Sequence, residues 1–316
     1  MIKPGVAGRP TAAPSRRVRV IRNTSAGSKG GIPVTSVAPE ALRAVLARHG
    51  LGDDVVETRD EAEAAAIVRA AIDEGIEVIV AAGGDGTVAL VANEVLGSDA
   101  SLGILPLGSV MNVARSLDIP RDVDAAAAIL AGGRTTRIDI GDAAGTTFYG
   151  GASVGLNAAI FREADHFDDP DWLSIVRTIW VAIRYRPARM VLQLDDRLVR
   201  TRALMVAVSN GPYTGAGMTV APDARLNDGR FDVRVFRGFS KWELVRHLAS
   251  IAFGRRRYAP RISTYRSKRV RVTSARPLPV RADQCDLGWT PVEFVTRPAA
   301  LRVVVPADSP LVDPRP

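Results

Sequence analysis

Apolar residues fall in short runs divided by polar turns, and the rhythm of those runs changes near the middle of the chain. In the first part, extended runs alternate with stretches of helical spacing. Residues 17–22 (RVRVIR) alternate and predict a strand; 55–57 and 102–105 predict two more. Residues 78–82 (VIVAA) are apolar throughout, the pattern of a strand buried on both faces. Between these runs, 40–49 place Leu42, Val45 and Leu46 at helical spacing. Residues 60–74 are Ala-rich with acids in the first turn, a helix start. Residues 122–130 predict a further helix and 135–140 a further strand. Such alternation predicts a mostly parallel sheet with helices on both faces, over 17–143.

Beyond Gly145 the runs at 148–157, 190–194, 203–208, 231–236, 269–273, 278–282 and 292–295 read as strands separated by Gly, Asp and Pro turns. They predict a second, mainly antiparallel domain. Two helices interrupt it, one at 172–185 and one starting at Ser240, where Ser240 and Glu243 form a capping box. The last strand, 301–305, suits either domain. The expected fold class is α/β: an N-terminal Rossmann-like domain at 17–143, which 298–306 could rejoin, and a β-sandwich domain at 144–297. Residues 1–16 and 307–316 read as disordered tails.

With 316 residues, 47% of them hydrophobic, the chain can fill one large core or two medium ones. Its net charge of +8 suits a nucleotide, a nucleic acid or an anionic membrane without choosing among them. One cysteine, Cys285, excludes a disulfide framework and a cysteine-rich zinc site. His49, His166 and His247 are too scattered to suggest a histidine metal site. No run of about 20 apolar residues could span a bilayer. The basic N-terminal stretch lacks the apolar segment of a secretory signal, so a cytoplasmic location is expected. Arg255, Arg256, Arg257, Arg261, Arg266, Lys268, Arg269 and Arg271 crowd together, as a solvated face or as an attraction for anionic headgroups. Few aromatics interleave them and no nucleic-acid motif is present, so no nucleic-acid partner is expected.

The chemistry concentrates where 78–82 stops at Gly83-Gly84-Asp85-Gly86-Thr87 and a helical pattern begins at Val88. A buried strand that ends in a glycine turn at a helix N-terminus offers backbone N–H groups and a positive dipole end to phosphate. Asp85 sits where Mg²⁺ or a phosphoryl acceptor requires a carboxylate.

Four motifs in order resemble the lipid kinases with the diacylglycerol-kinase catalytic fold, a family that includes sphingosine kinases. Asn23, Thr24, Ser25, Ala26 and Gly27 are similar to its Asn-Pro-x-Ser-Gly loop, and Gly83–Thr87 is identical to its Gly-Gly-Asp-Gly-Thr. LPLGSVMNVAR at 105–115 is similar to Leu-Pro-x-Gly-Thr-x-Asn-Asp-Phe-Ala-Arg, and APDARLNDGRFD at 221–232 to Pro-x-Ala-x-x-x-Asp-Gly-x-x-Asp. A Gly-rich strand turn at 151–158 and a weaker match at 283–294 (DQCDLGWTPVEF) complete the set. The resemblance implies ATP and Mg²⁺ as cofactors, a cleft between two domains, and a lipid alcohol, most simply diacylglycerol-like, as acceptor. It implies ATP contacts from 23–27, Thr58, Gly83–Thr87, Gly108 and Ser109. The glycines at 83, 84 and 86 are expected to permit close backbone approach and positive φ, and the Thr87 hydroxyl to meet a phosphate or cap the helix. It implies a structural Mg²⁺ on Asp228 with the carbonyls of Arg225 and Arg230, although an Asp-Gly turn explains Asp228 as well. Asp139 resembles an acid of the Mg²⁺–water network, shared with Asp85, and could equally be a backbone anchor.

Departures from the pattern test the resemblance. Thr24 replaces a proline, and Met111-Asn112 replaces Asn-Asp. Asp283-Gln284-Cys285 replaces Asp-Gly-Glu, whose acidic pair supplies the base in bacterial relatives, so Asp283 and Asp85 remain as catalytic candidates and Cys285 occupies the Glu position. Gln284 also lacks the backbone freedom of glycine. A catalytically degenerate nucleotide- or lipid-binding relative is the alternative reading. An NAD kinase shares the glycine motif, but Asn93-Glu94 lies too close to it to be that family's second motif. Trp172, Val176, Ile179 and Ile183, with Trp180 adjacent and Arg177, Arg184 and Arg186 nearby, read as a face that packs on the second domain or rests on a bilayer. Peripheral contact with the anionic inner face of the membrane is expected, and a homodimer is left open.

Overall fold

The computed structural model describes residues 16–23, 37–164, 180–181, 184–215, 217–237 and 262–312. Thr24, Ser25, Ala26 and Gly27, the helix at Ser240, Arg255, Arg256, Arg257 and Arg261, and most of the 172–185 segment lie outside the described residues.

Strands β1 (Val18–Asn23), β2 (Val55–Thr58), β3 (Val78–Gly83) and β4 (Ser101–Pro106) run parallel in the order β2-β1-β3-β4. Every residue of β3 and β4 is buried, which is why these strands read as unbroken apolar runs rather than alternating ones. Helices α1 (Pro39–Arg48), α2 (Glu61–Asp73), α3 (Asp85–Val95), α4 (Asn112–Ser116) and α5 (Val123–Gly132) accompany them. Helix α2 starts where its sequence says it should. Asp60 Oδ1 accepts from the Glu63 amide at 2.8 Å, and Glu63 Oε2 accepts from the Arg59 amide at 3.0 Å.

The second half contains β5 (Arg134–Ala143), β6 (Thr146–Phe148), β7 (Gly151–Gly155), α6 (Leu156–Ala164), β8 (Ala188–Leu194), β9 (Arg197–Ser209), β10 (Tyr213–Thr214), β11 (Met218–Thr219), β12 (Phe231–Arg237), β13 (Ile262–Ser267), β14 (Arg269–Ser274), β15 (Pro279–Ala282), β16 (Cys285–Trp289) and β17 (Val292–Val305). Its pairings are antiparallel, in the order β16-β15-β7-β9-β8-β14-β17, with β12 and β13 added at β9. Phe148 packs on Phe231 and edge-on to Phe294, with ring centroids 5.6 and 6.1 Å apart, at the centre of a core separate from that of the parallel sheet.

The region expected as one strand at 148–157 is divided. Gly155 adopts φ +102°, and a Cβ there would stand 2.5 Å from the Leu204 carbonyl oxygen; the chain turns and continues as α6. Conversely, the runs at 292–295 and 301–305 belong to one strand. β17 pairs with β14 through Val292–Val295, shifts register against β5 between Arg297 and Leu301, and then lies parallel to β4, with Val303 opposite Leu102. β5 follows it along both stretches, so this ladder runs through both halves. Residues 307–312, expected as tail, pack onto it: Leu311 is buried and its carbonyl accepts from Thr136 Oγ1 at 2.8 Å.

Candidate active site

The ends of the parallel strands converge on one edge. Asn23 stands opposite Thr58, and Gly83 opposite Pro106. In sheets of this type ligands collect at the carboxyl ends of the strands. Helix α3 starts at Asp85, three residues before the sequence pattern begins, because Gly86 and Thr87 carry no apolar periodicity yet form its first turn. None of Gly83, Gly84 and Gly86 has a positive φ, which corrects the expectation of left-handed freedom. The close approach that was also expected is present at Gly83 and between Gly84 and Gly108. A Cβ on Gly83 would meet Thr87 Oγ1 at 2.4 Å, and one on Gly108 would meet Gly84 Cα at 2.5 Å. Gly84 and Gly86 have more room: the nearest atoms to a Cβ there are Gly108 Cα at 3.7 Å and Gln284 Oε1 at 3.6 Å. Thr87 Oγ1 is buried against Gly83 and makes no hydrogen bond, so it neither caps α3 nor faces the open side.

Asp85 is half-buried and its Oδ1 accepts from the Val113 amide at 3.4 Å. Burial pushes its pKa up, against the pull of the amides of Asn112, Val113 and Met111 and the charge of Arg115. Met111, where the family has Asn, is a fully buried side chain on a residue with φ 57° before α4. From α4, Asn112 Nδ2 donates to the Gly215 carbonyl at 2.8 Å and Arg115 Nη1 to that of Gly217 at 3.0 Å, with the Arg115 guanidinium 4.0 Å from the centre of the Tyr213 ring. Ser109 is exposed, and Arg121 Nη2 donates to the carbonyls of Gly108 and Ser109 at 2.7 and 2.8 Å.

The second half brings the β15–β16 hairpin to the same place. The Asp283 carboxylate accepts from the amides of Tyr149 at 2.7 Å, Gly150 at 3.1 and 3.2 Å, and Gly151 at 2.9 Å. A Cβ at Gly150 would lie 2.9 Å from Asp283 Oδ1, so the glycine makes this nest possible. Burial raises the Asp283 pKa, opposed by those amides, and the charge of Asp85 raises it further; the two acids share one electrostatic environment. The left-handed residue of the hairpin is Asp283, at φ 44°, and not Gln284, so loss of the family glycine does not strain the turn. Arg281 braces the turn through the carbonyls of Asp283 and Gln284 at 3.2 and 2.8 Å. Cys285 is exposed. Sequence reasoning missed Tyr149, whose hydroxyl donates to Asn93 Oδ1 at 2.6 Å across the two halves; its position just before the Gly-rich turn was the available signal.

Asp139 stands apart from this cluster. Its Oδ2 accepts from Gly229 N at 2.6 Å and its Oδ1 from Ala299 N at 2.8 Å, with Ala299 at the register shift of β17. Among the described residues no hydrogen bond or ion pair joins it to Asp85, and both of its carboxylate oxygens meet backbone amides. Buried Asn210 supports the same crossing, with Nδ2 donating to the carbonyls of Asp139 and Tyr149, both at 2.9 Å. Asp228 does not fit a bound cation. Arg266 Nη1 lies 3.6 Å from it, Arg266 Nε lies 3.5 Å from Asp232, and Arg266 Nη2 donates to the Asp223 carbonyl at 3.2 Å. Asp228 Oδ1 also accepts from the Arg230 amide at 3.1 Å. A guanidinium thus stands beside the carboxylate that was expected, with the carbonyls of Arg225 and Arg230, to hold a metal. Asp85 differs from Asp228 in having no cationic side chain bonded to its carboxylate among the described residues. No three His, Cys, Asp or Glu side chains among the described residues converge as a metal cage. One half-buried carboxylate beside the glycine turn still suits Mg²⁺, which takes few protein ligands and completes its shell with substrate phosphates and water.

The diacylglycerol kinase catalytic domain model matches residues 17–143, and the YegS C-terminal NAD kinase beta sandwich-like domain model matches 150–305. The chain belongs to this lipid kinase family. A "Diacylglycerol kinase" of Mycobacterium tuberculosis is 30% identical over 282 residues, covering 83% of this chain and 91% of its own. A Klebsiella pneumoniae protein named "Probable lipid kinase YegS-like" is 28% identical over 287 residues, covering 87% and 94%. A crystal structure of a diacylglycerol kinase from Bacillus anthracis matches the fold with a TM-score of 0.67 at 18% identity, covering 93% of this chain and 98% of that one. Within this kinase fold, Asn93 and Glu94 serve contacts of α3: Asn93 holds Tyr149, and Glu94 lies 3.5 Å from Arg69. Among the described residues no helix is long and apolar enough to cross a membrane.

Proposed function

We propose that this chain transfers the γ-phosphoryl group of ATP to the hydroxyl of a diacylglycerol-like lipid alcohol, with Mg²⁺, from a cytoplasmic position at the inner face of the membrane. The observation that carries the reading is the glycine turn at the N-terminus of α3, where Gly84 and Gly86 flank Asp85 and Gly86 faces Gln284 of the opposite half. Amides at this turn would receive phosphate oxygens. Asp85, oriented by the amides that open α4, would hold Mg²⁺, which when bound neutralises charge on the phosphates. Asp283 has its lone pairs committed to three backbone amides and acts as a positioning residue for the hairpin. Phosphoryl transfer through a loose transition state depends mainly on alignment and charge, which lessens the need for the missing Glu.

A relative that binds nucleotide and lipid without turnover is favoured by one observation: between the clamped Asp283 and exposed Cys285 the hairpin offers no free carboxylate. Labelled ATP with Mg²⁺ and a panel of lipid alcohols in neutral mixed micelles separates the readings. Transfer by the wild type, lost in Asp85→Ala, supports the kinase. Absence of transfer by the wild type, with gain in Cys285→Glu, supports the binding protein.

A further inference from the structure

The outward face of the sandwich carries arginines that the active site does not use. In the β8–β9 ladder Arg189 stands directly opposite Arg202, Val191 opposite Arg200, and Gln193 opposite Leu198. On the other side of β8, Thr273 of β14 stands opposite Val191, and Arg271 opposite Gln193. Within β9, β8 and β14 these rows contain four arginines and no acid; Glu293 of β17 follows opposite Arg271, away from the Arg189–Arg202 pair. All four are exposed, and among the described residues neither they nor Arg276 enter an ion pair. Like charges directly opposite one another in a ladder are unfavourable, so the Arg189–Arg202 pair does not serve the fold. Closely set guanidinium groups do match phosphate oxygens.

At the end of this ladder Arg189, Arg202 and Arg276 line a cleft of about 420 Å³ with Pro187, Ala188 and Ala275. Arg276 is held in place: its Nη2 donates to the Arg186 carbonyl at 2.9 Å, and its guanidinium lies 5.6 Å from the centre of the Tyr185 ring. The cleft is remote from the catalytic cluster. Arg202 precedes Ser209, the partner of Gly151, by seven residues on β9, roughly 23 Å along the strand. Apolar surface accompanies the charge. Leu198 on the same face is 53% exposed, and Trp180, stacked by Arg184 at 4.3 Å, is 58% exposed.

We propose that this cleft binds the phosphate headgroup of an anionic phospholipid, and that the outer face of β9, β8 and β14 rests on the bilayer. An exposed leucine and tryptophan beside arginines suit a headgroup region, whereas free phosphate would need the charges alone. The inference rests on the lipid-kinase reading only for its biological sense, because binding is measured separately from transfer.

The test is flotation of the full chain with phosphatidylglycerol vesicles and with phosphatidylcholine vesicles, for the wild type, R189Q/R202Q, and the control R48Q/R69Q on the other half. Unfolding curves confirm that each variant is folded. Binding to phosphatidylglycerol alone, weakened about 30-fold in R189Q/R202Q and little changed in the control, is the expected result. Equal weakening in both variants, or in neither, overturns the proposal. Displacement from vesicles by millimolar inorganic phosphate, or tighter binding to an oligonucleotide through the same two arginines, overturns it too. Transfer to an acceptor in neutral micelles, run in parallel, reads the kinase assignment independently: loss of vesicle binding with transfer intact bears on this face alone.

Discussion

Replacing Asp283 by Asn separates an anchor from a base. The carboxylate receives the Tyr149 amide at 2.7 Å on one oxygen and the Gly151 amide at 2.9 Å on the other, with Gly150 shared between them. Asparagine can keep its oxygen toward Gly150 and Gly151, but it then turns an NH₂ group toward the Tyr149 N–H. One charge-assisted bond becomes a donor–donor contact, a loss of about 2–4 kcal/mol. At ~2–4 °C per kcal/mol for chains of this size, the melting temperature should fall by roughly 5–15 °C. Turnover should fall as well, because the hairpin that brings Gln284 to Gly86 loses its seat, and by the same factor at every pH. Thermal unfolding and a pH–rate profile for Asp283→Asn provide the check. An unchanged melting temperature with turnover down by about 10² and recovering in alkaline buffer would refute the anchor and make Asp283 the general base.

Gly108→Ala places a Cβ 2.5 Å from Gly84 Cα and 2.8 Å from Met111 Sδ. It should cost about 1–3 kcal/mol and abolish ATP binding by calorimetry, whereas Gly86→Ala, nearest to Gln284 Oε1 at 3.6 Å, should fold normally and weaken ATP binding alone. Burial raises the pKa of Asp139 from its ordinary value, so its contribution is complete below that value and is lost as pH rises through the folded one. Unfolding curves taken downward from pH 7 should therefore show a stability gain that is smaller in Asp139→Asn. Because Arg266 already neutralises Asp228 and Asp232, stripping divalent metal with a chelator should leave the melting temperature unchanged, while Arg266→Gln should make it depend on added Mg²⁺.

The parallel sheet was legible because buried strands and amphipathic helices leave distinct periodicities, and α2 announces its start with Asp60 and Glu63. The glycine turn was legible as a site but not in its mechanics. Side-chain spacing cannot tell that Gly83 makes room for Thr87 and Gly108 for Gly84, since both depend on backbone approaches only a fold creates. The same limit applied to the acids. Asp139 lies within β5 and Asp283 just after β15, and nothing local distinguishes a carboxylate that faces substrate from one that collects amides. The partners of Asp139 are 90 and 160 residues away, and those of Asp283 are 132 to 134 residues away. Arg266 was read as part of a basic run, and its role appears only when β12 and β13 pair and set Asp232 beside it.

The site draws its parts from two cores, the glycine turn from one and the Asp283 hairpin from the other, so its geometry depends on whatever fixes their relative position. Several ties do so. Tyr149 reaches Asn93, Asn112 reaches Gly215, Arg115 reaches Gly217 and Tyr213, and the β5–β17 ladder passes continuously through both halves. The first three are single side-chain contacts, worth about 1 kcal/mol each, that a closing motion could exchange. The ladder is different in kind: it can bend only where its register breaks, between Arg297 and Leu301, and Asp139 binds the Ala299 amide within that break. We propose that Asp139, through this bond, sets the angle at which the two halves meet. Its substitution should raise KM for ATP and for the lipid acceptor together, whereas loss of Asp85 should act on kcat. Steady-state kinetics on Asp139→Asn in which only the ATP constant moved would place Asp139 at the nucleotide after all.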